Sequence, residues 1–215
     1  RVRIATETGW TAWSEPVVVE AELPASAWGA RPIGLAAPLG GAAAIVRTEF
    51  DLGSPVVAAR LRWTALGVAD ARINGEAASR SVLTPGWTSY QERILVDTED
   101  VTALLHEGRN AIAFEVSDGW YRGRFGFADR SAIYGDSVGA LARLEVETAD
   151  GAVFVLETGA DWSAGFGTVT EAGIYDGTSI DLRLDRGDAS VVGFDDTEWS
   201  AAQVVPGELD RFEAR

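Results

Sequence analysis

The densest group of side chains able to do directional chemistry is the run Asp118-Gly119-Trp120-Tyr121-Arg122-Gly123-Arg124-Phe125-Gly126-Phe127. A carboxylate accepts from hydroxyl donors, and a guanidinium presents a planar fork to ring oxygens or carboxylates. A flat aromatic face binds the C–H side of a pyranose through dispersion and desolvation. Asp118, Trp120, Tyr121, Arg122 and Arg124 therefore admit two readings. One is a carbohydrate-contacting surface. The other is an Arg–carboxylate and aromatic lock that braces this loop against its own body or a neighbouring domain. Trp87 and Tyr90 pose the same choice. In Leu83-Thr84-Pro85-Gly86-Trp87-Thr88-Ser89-Tyr90, the Pro-Gly pair turns the chain and can hold a ring toward solvent or a partner; otherwise the Trp plugs the end of the fold.

Further carboxylates stand at Asp136, Asp176, Asp195 and Asp196. Any two can act as acid and base in glycoside hydrolysis if held roughly 5 to 9.5 Å apart. Asp beside Gly in turns more commonly satisfies local backbone N–H groups, and spacing along the chain does not favour a catalytic pair. The chain has no Cys and one His, His106, which excludes a thiolate nucleophile and a hydrolytic zinc site. All 18 basic residues are Arg, so no lysine can form a Schiff base. A net charge of −15 repels phosphate backbones and anionic lipid, which argues against nucleic acid and membrane partners. The acidic balance leaves calcium open. No loop has EF-hand spacing, and no ligands are assigned.

These groups need a scaffold, and 215 residues with 47% hydrophobic content suffice for a packed core. Alternation of period two recurs. Leu61 and Trp63 alternate with Arg60 and Arg62, and Ala69, Ala71 and Ile73 alternate with Val68, Asp70 and Arg72. Ile112, Phe114 and Val116 share one face of a further strand, as do Ala140, Ala142, Leu144 and Val146. Asn74-Gly75 and Asp150-Gly151 suit tight turns, and the second predicts a hairpin of residues 139–148 with 152–157. One segment, Thr98 to Leu105, reads as a short helix, with acidic residues at its start and Gly108 as a stop. Many short strands and one short helix predict an all-β, two-sheet jelly-roll-like β-sandwich. The most apolar stretches, such as residues 35–46, are too short and too interrupted to span a bilayer. The start at Arg1, without Met, is expected of a piece of a longer polypeptide. The compartment is open between cytoplasm and exterior.

In order and spacing, the segments Leu61 to Gly67, Ala71 to Gly75, Val82 to Tyr90, Asp100 to Leu105, Gly108 to Asn110 and Asp118 to Gly126 resemble the N-terminal β-sandwich domain of bacterial α-L-rhamnosidases. The likeness continues through Tyr134-Gly135-Asp136, Asp150-Gly151, Trp162, Ile174 to Gly177 and Gly193 to Trp199, covering residues 41–205. Residues 1–23, with Trp10 and Trp13-Ser14-Glu15-Pro16, are similar to the last two strands of a fibronectin type III-like domain. The resemblance implies a linker over 24–40 and another over 206–215 leading to the next domain. It implies a parent hydrolase, a glycosidase that cleaves terminal α-L-rhamnose with inversion. Its catalytic carboxylates would lie in a later (α/α)6 barrel, so no catalytic residue is expected here. The implied partners are a rhamnose-containing glycan or glycoside and that barrel. Some sandwiches of this type bind rhamnose with calcium and others brace the barrel. A lectin-like module, a structural brace and a self-sufficient glycosidase are the three classes to separate.

Overall fold

The computed structural model describes residues 1–17, 23–35, 40–124 and 130–215. Residues 125–129, which include Phe125, Gly126 and Phe127 of the aromatic run, lie outside the described residues, as do residues 36–39 of the Ala/Gly-rich run and residues 18–22 of the fibronectin-like segment.

Two sheets form a β-sandwich, with a separate two-stranded element, Ala5–Thr6 with Gly9–Trp10, at the N-terminus. Sheet I runs Gln203–Val204, Ile33–Gly34, Gly139–Thr148, Val56–Leu66, Ile94–Asp100, Phe212–Ala214, and Val153–Glu157 also pairs with Gly139–Thr148. Sheet II runs Ser200–Ala201, Ser163–Phe166, Ala44–Leu52, Gly108–Ser117, Val68–Ile73, Glu76–Ala77. Among the described residues, pairing is antiparallel except between Phe212–Ala214 and Ile94–Asp100. The alternating apolar positions meet between the sheets. Leu61, Trp63, Ala142 and Leu144 of sheet I pack on Val46, Ile112, Phe114 and Val116 of sheet II. The rings of Trp63, Phe114 and Trp162 run through this core with centroids 5.8 and 6.0 Å apart.

The Asp150-Gly151 hairpin forms in the expected register, Arg143 opposite Glu157 through Glu147 opposite Val153. Asn74 and Gly75 both adopt positive φ, +50° and +87°, and return the chain into the two-residue strand Glu76–Ala77. The segment 98–105 is not a helix. Thr98 to Asp100 stay in their strand, and only Thr102–Leu104 closes a 3-10 turn. Asp100 Oδ1 accepts from the Thr102 N–H at 3.1 Å and from its hydroxyl at 2.6 Å, while Val101 and Leu105 turn into the core. The acidic start that suggested a helix is therefore a local side-chain cap on a strand end. Among the described residues the one α-helical turn is Gly119–Arg122, inside the aromatic run.

Residues 24–40 contribute Ala25–Ala27 as a 3-10 turn, Ile33–Gly34 as a strand, and buried Trp28, Ala30 and Ile33. At the other end Phe212 is buried beside Ile94 and Val96. The chain passes from sheet I to sheet II at Leu66-Gly67-Val68, through one residue. Gly67 has φ +135°, and a Cβ there would stand 2.3 Å from the Ser117 carbonyl oxygen, so only glycine fits.

Both outer faces are partly covered. On sheet I, Trp28, Tyr90 and Phe212 cover Leu66, Leu141, Ile94 and Val96, and beyond them Arg62, Arg143, Glu145 and Glu157 form an ion-pair network. Burial pushes the Glu145 carboxyl up, but hydrogen bonds from Arg143 and Arg62 offset this and hold it below the usual carboxylate range. On sheet II, Arg47 is only 2% exposed and pins the segment carrying Ala189, Val191 and Asp196 to the sheet.

Candidate functional site

Where the Gly108–Ser117 strand leaves sheet II, the Gly119–Arg122 turn lies directly on Val68. Gly119 has φ +51°, and a Cβ there would come within 2.1 Å of Val68 Cγ2, so the contact depends on the missing side chain. The turn places Trp120 and Tyr121 against the cluster that covers sheet I. Trp120 stacks on Trp87 with centroids 6.1 Å apart and planes within 5°, and Trp87 Nε1 donates to the Tyr134 hydroxyl at 3.2 Å. Tyr90 meets Tyr134 and Tyr121 edge-on, at 4.9 and 5.6 Å. Tyr90 is 2% exposed, its hydroxyl donates to the Gly86 carbonyl, and burial raises its pKa. It offers no ring face to a ligand, whereas Trp87 remains 52% exposed.

The polar members of the run are engaged within the protein. Arg122 Nε donates to Asp118 at 2.9 Å, one helical turn back. Arg124 pairs with Asp176, which ties the turn to the tip of the hairpin formed by Val169–Gly173 and Gly177–Ile180. The structure thus brings Trp87, Tyr90, Trp120 and Tyr121 into one aromatic assembly that also includes Tyr134, which the sequence singled out only as a neighbour of Asp136. Asp118 and Arg122 lock each other beside it. Asp136 accepts from Ser137 at 3.0 Å, Asp195 caps Thr197 and Asp196 holds Arg47. The run Gly135-Asp136-Ser137-Val138-Gly139 has Gly-x-Ser-x-Gly spacing, but it leads into the Gly139–Thr148 strand and its Ser bonds to Asp136. It is not the strand-to-helix elbow of a serine nucleophile.

Below the Gly119 turn, a cavity of about 280 Å³ opens on the outer face of sheet II. Its floor includes Val68, Asp70, Glu115 and Ser117, and Leu83, Ala172 and Ile174 contribute an apolar wall. Asp70 and Glu115 are directly opposed across the strand pair, an arrangement of like charges that costs stability. Neither carboxylate has a hydrogen-bond or ion-pair partner among the described residues. Burial and the Asp70 charge push the Glu115 pKa up, with Arg72 opposing. Sequence reasoning passed over Glu115. Its signal was a lone carboxylate in an otherwise apolar strand, Ala111-Ile112-Ala113-Phe114-Glu115-Val116. Among the described residues no group of three or more His, Asp or Glu side chains is placed to hold a metal ion.

The family described as the alpha-L-rhamnosidase N-terminal domain matches residues 54–215. The chain belongs to this family. The α-L-rhamnosidase of Streptomyces avermitilis is 40% identical over 202 residues, which are 92% of this chain and 20% of that protein. The crystal structure of the S. avermitilis enzyme complexed with L-rhamnose aligns at TM-score 0.75 and 35% identity, covering 94% of this chain and 22% of that one. The native α-L-rhamnosidase of Aspergillus terreus aligns at TM-score 0.88 and 36% identity, covering 95% of this chain and 25% of that one. This rhamnosidase N-terminal domain spans about a fifth of the length of the curated relatives it matches. Among its described residues, no helix is long and apolar enough to cross a membrane.

Proposed function

We propose that this rhamnosidase N-terminal domain is the accessory, non-catalytic sandwich of an enzyme that hydrolyses terminal α-L-rhamnosyl linkages, and that it contacts rhamnose-containing glycan through the recess beside Gly119. The observation that carries this reading is the recess itself: an apolar wall facing two carboxylates that have no hydrogen-bond or ion-pair partner among the described residues. Concave sites with apolar walls and a few convergent polar groups are where small ligands bind, and a carboxylate pair accepts hydrogen bonds from vicinal hydroxyls. The aromatic assembly of Trp87, Tyr90, Trp120 and Tyr121 serves mainly to anchor the Gly119 turn that bounds the recess, because its rings pack on one another. Catalysis by this domain is disfavoured by direction. Asp70 and Glu115 rise side by side from adjacent strands, whereas a glycosidase sets its two carboxylates on either side of the scissile bond.

Titration of the chain with L-rhamnose by calorimetry, with calcium and separately with EDTA, tests the reading. Saturable binding that weakens on Glu115→Gln is expected. Absence of binding under both conditions refutes it in favour of a purely bracing role. Turnover of a nitrophenyl α-L-rhamnoside by the purified chain refutes the non-catalytic assignment.

A further inference from the structure

The recess does not end at the carboxylate pair. A second cavity, also of about 280 Å³, lies on the far side of Asp70 and Glu115, and both residues line both spaces. The strand register explains why. Three consecutive same-face pairs of the Val68–Ile73 and Gly108–Ser117 strands form the floor: Val68 opposite Ser117, then Asp70 opposite Glu115, then Arg72 opposite Ala113. The first pair lines only the Gly119 recess, the second pair both cavities and the third pair only the new one. Because alternate residues share a face, the floor is one straight track, about 13 Å from first pair to last at about 3.3 Å per residue. That is longer than a single hexopyranose ring.

The two compartments differ in chemistry. The recess is walled by aliphatic side chains, whereas the second cavity is bounded by Phe166 and Trp199 and has the Arg72 guanidinium at its floor. Arg72 is held in place by the Gly75 carbonyl and by Asp188 at 3.3 Å. Aromatic walls suit the apolar face of a pyranose, a guanidinium suits ring and hydroxyl oxygens, and two central carboxylates accept hydroxyl donors while repelling acidic sugars.

We propose that the outer face of sheet II binds a neutral glycan segment of at least two sugar residues. One ring lies over Ser117 beside the Gly119 turn, the next lies over Arg72 and Ala113 against Phe166, and hydroxyls near the linkage meet Asp70 and Glu115. This rests on the proposed sugar-contacting role of the recess and adds the length and neutrality of the ligand.

The test is a calorimetric titration with L-rhamnose and with the disaccharide α-L-rhamnosyl-(1→6)-glucose. The disaccharide is expected to bind at least tenfold tighter. Phe166→Ala, at a side chain 46% exposed, is expected to remove that advantage and leave the rhamnose affinity unchanged. A melting curve of the variant confirms that it is folded. Equal affinity for the two sugars, or a disaccharide advantage that survives Phe166→Ala, overturns the two-compartment ligand while leaving the recess a sugar site. Binding of neither sugar overturns the sugar-contacting role as well.

Discussion

Replacing Arg47 by alanine probes how the segment over sheet II is held. Arg47 is 2% exposed and its guanidinium has four partners: Nε donates to the Ala189 carbonyl at 2.8 Å, Nη1 to Asp196 at 2.6 Å, and Nη2 to Glu49 at 2.7 Å and the Val191 carbonyl at 3.2 Å. It also lies over the Phe194 ring, 5.4 Å from the centroid. Arg47→Ala takes the Arg47 donor from Asp196 and from two carbonyls, and leaves Glu49 with Arg109 and the Gly193 N–H. Removing one partner of a buried ionic network costs about 3–5 kcal/mol. The side chains of Glu49 and Asp196 keep 18% and 26% exposure, and solvent takes up part of the loss, which places the cost near the lower limit, at about 3 kcal/mol. For a chain of this size each kcal/mol moves the midpoint by about 2–4 °C, so a fall of about 6–12 °C is expected by calorimetry. Limited proteolysis should show earlier cleavage near Gly187 and Gly193. The acid side gives a second readout. Burial raises Glu49, but the Arg47 bond, the Gly193 N–H and Arg109 together hold its pKa below the ordinary 4.5. A depressed carboxylate contributes stability above its unfolded value and loses it as pH falls through the folded one. That acid-dependent loss should shrink in the variant. A midpoint change below about 2 °C, under about 1 kcal/mol, with unaltered cleavage would refute the reasoning.

Two further substitutions read other parts of the account. Glu115→Gln should raise the melting midpoint at pH 7 and leave it unchanged at pH 4. A raised carboxyl pKa means that the folded state bears a penalty once pH exceeds the unfolded value of 4.5, and no penalty below it. An equal effect at both pH values would show that packing rather than charge is responsible. Gly119→Ala should cost at least about 1–3 kcal/mol from the positive φ alone, before the clash with Val68 is counted, and melting curves of the variant measure it.

Legibility in the sequence followed the range of the interactions. Leu61 and Trp63, or Ala140 to Val146, announce strands because alternation is a local property of half-buried sheets, and Asp150-Gly151 announces its turn because only a few residue types accept positive φ. The segment 98–105 misled because an acidic cap followed by apolar residues fits a helix start and a capped strand end equally well. What decides is the pull of Val101 into a core built by distant residues. The Gly119–Arg122 turn is too short to carry a helical period. The aromatic candidates were visible as types, but the stacking of Trp87 on Trp120 and the burial of Tyr90 depend on contacts across tens of residues. The carboxylate pair was least visible of all, since Asp70 meets Glu115 only through strand register.

The single-residue crossing at Gly67 sets a constraint on assembly. The Val56–Leu66 and Val68–Ile73 strands belong to different sheets, yet no slack separates them. A slip of one position in either would carry Gly67 away from the Ser117 carbonyl and would turn apolar and polar faces over in both layers together. The corner therefore acts as a proofreader of alignment: a mispaired intermediate meets a steric penalty and a burial penalty at the same step.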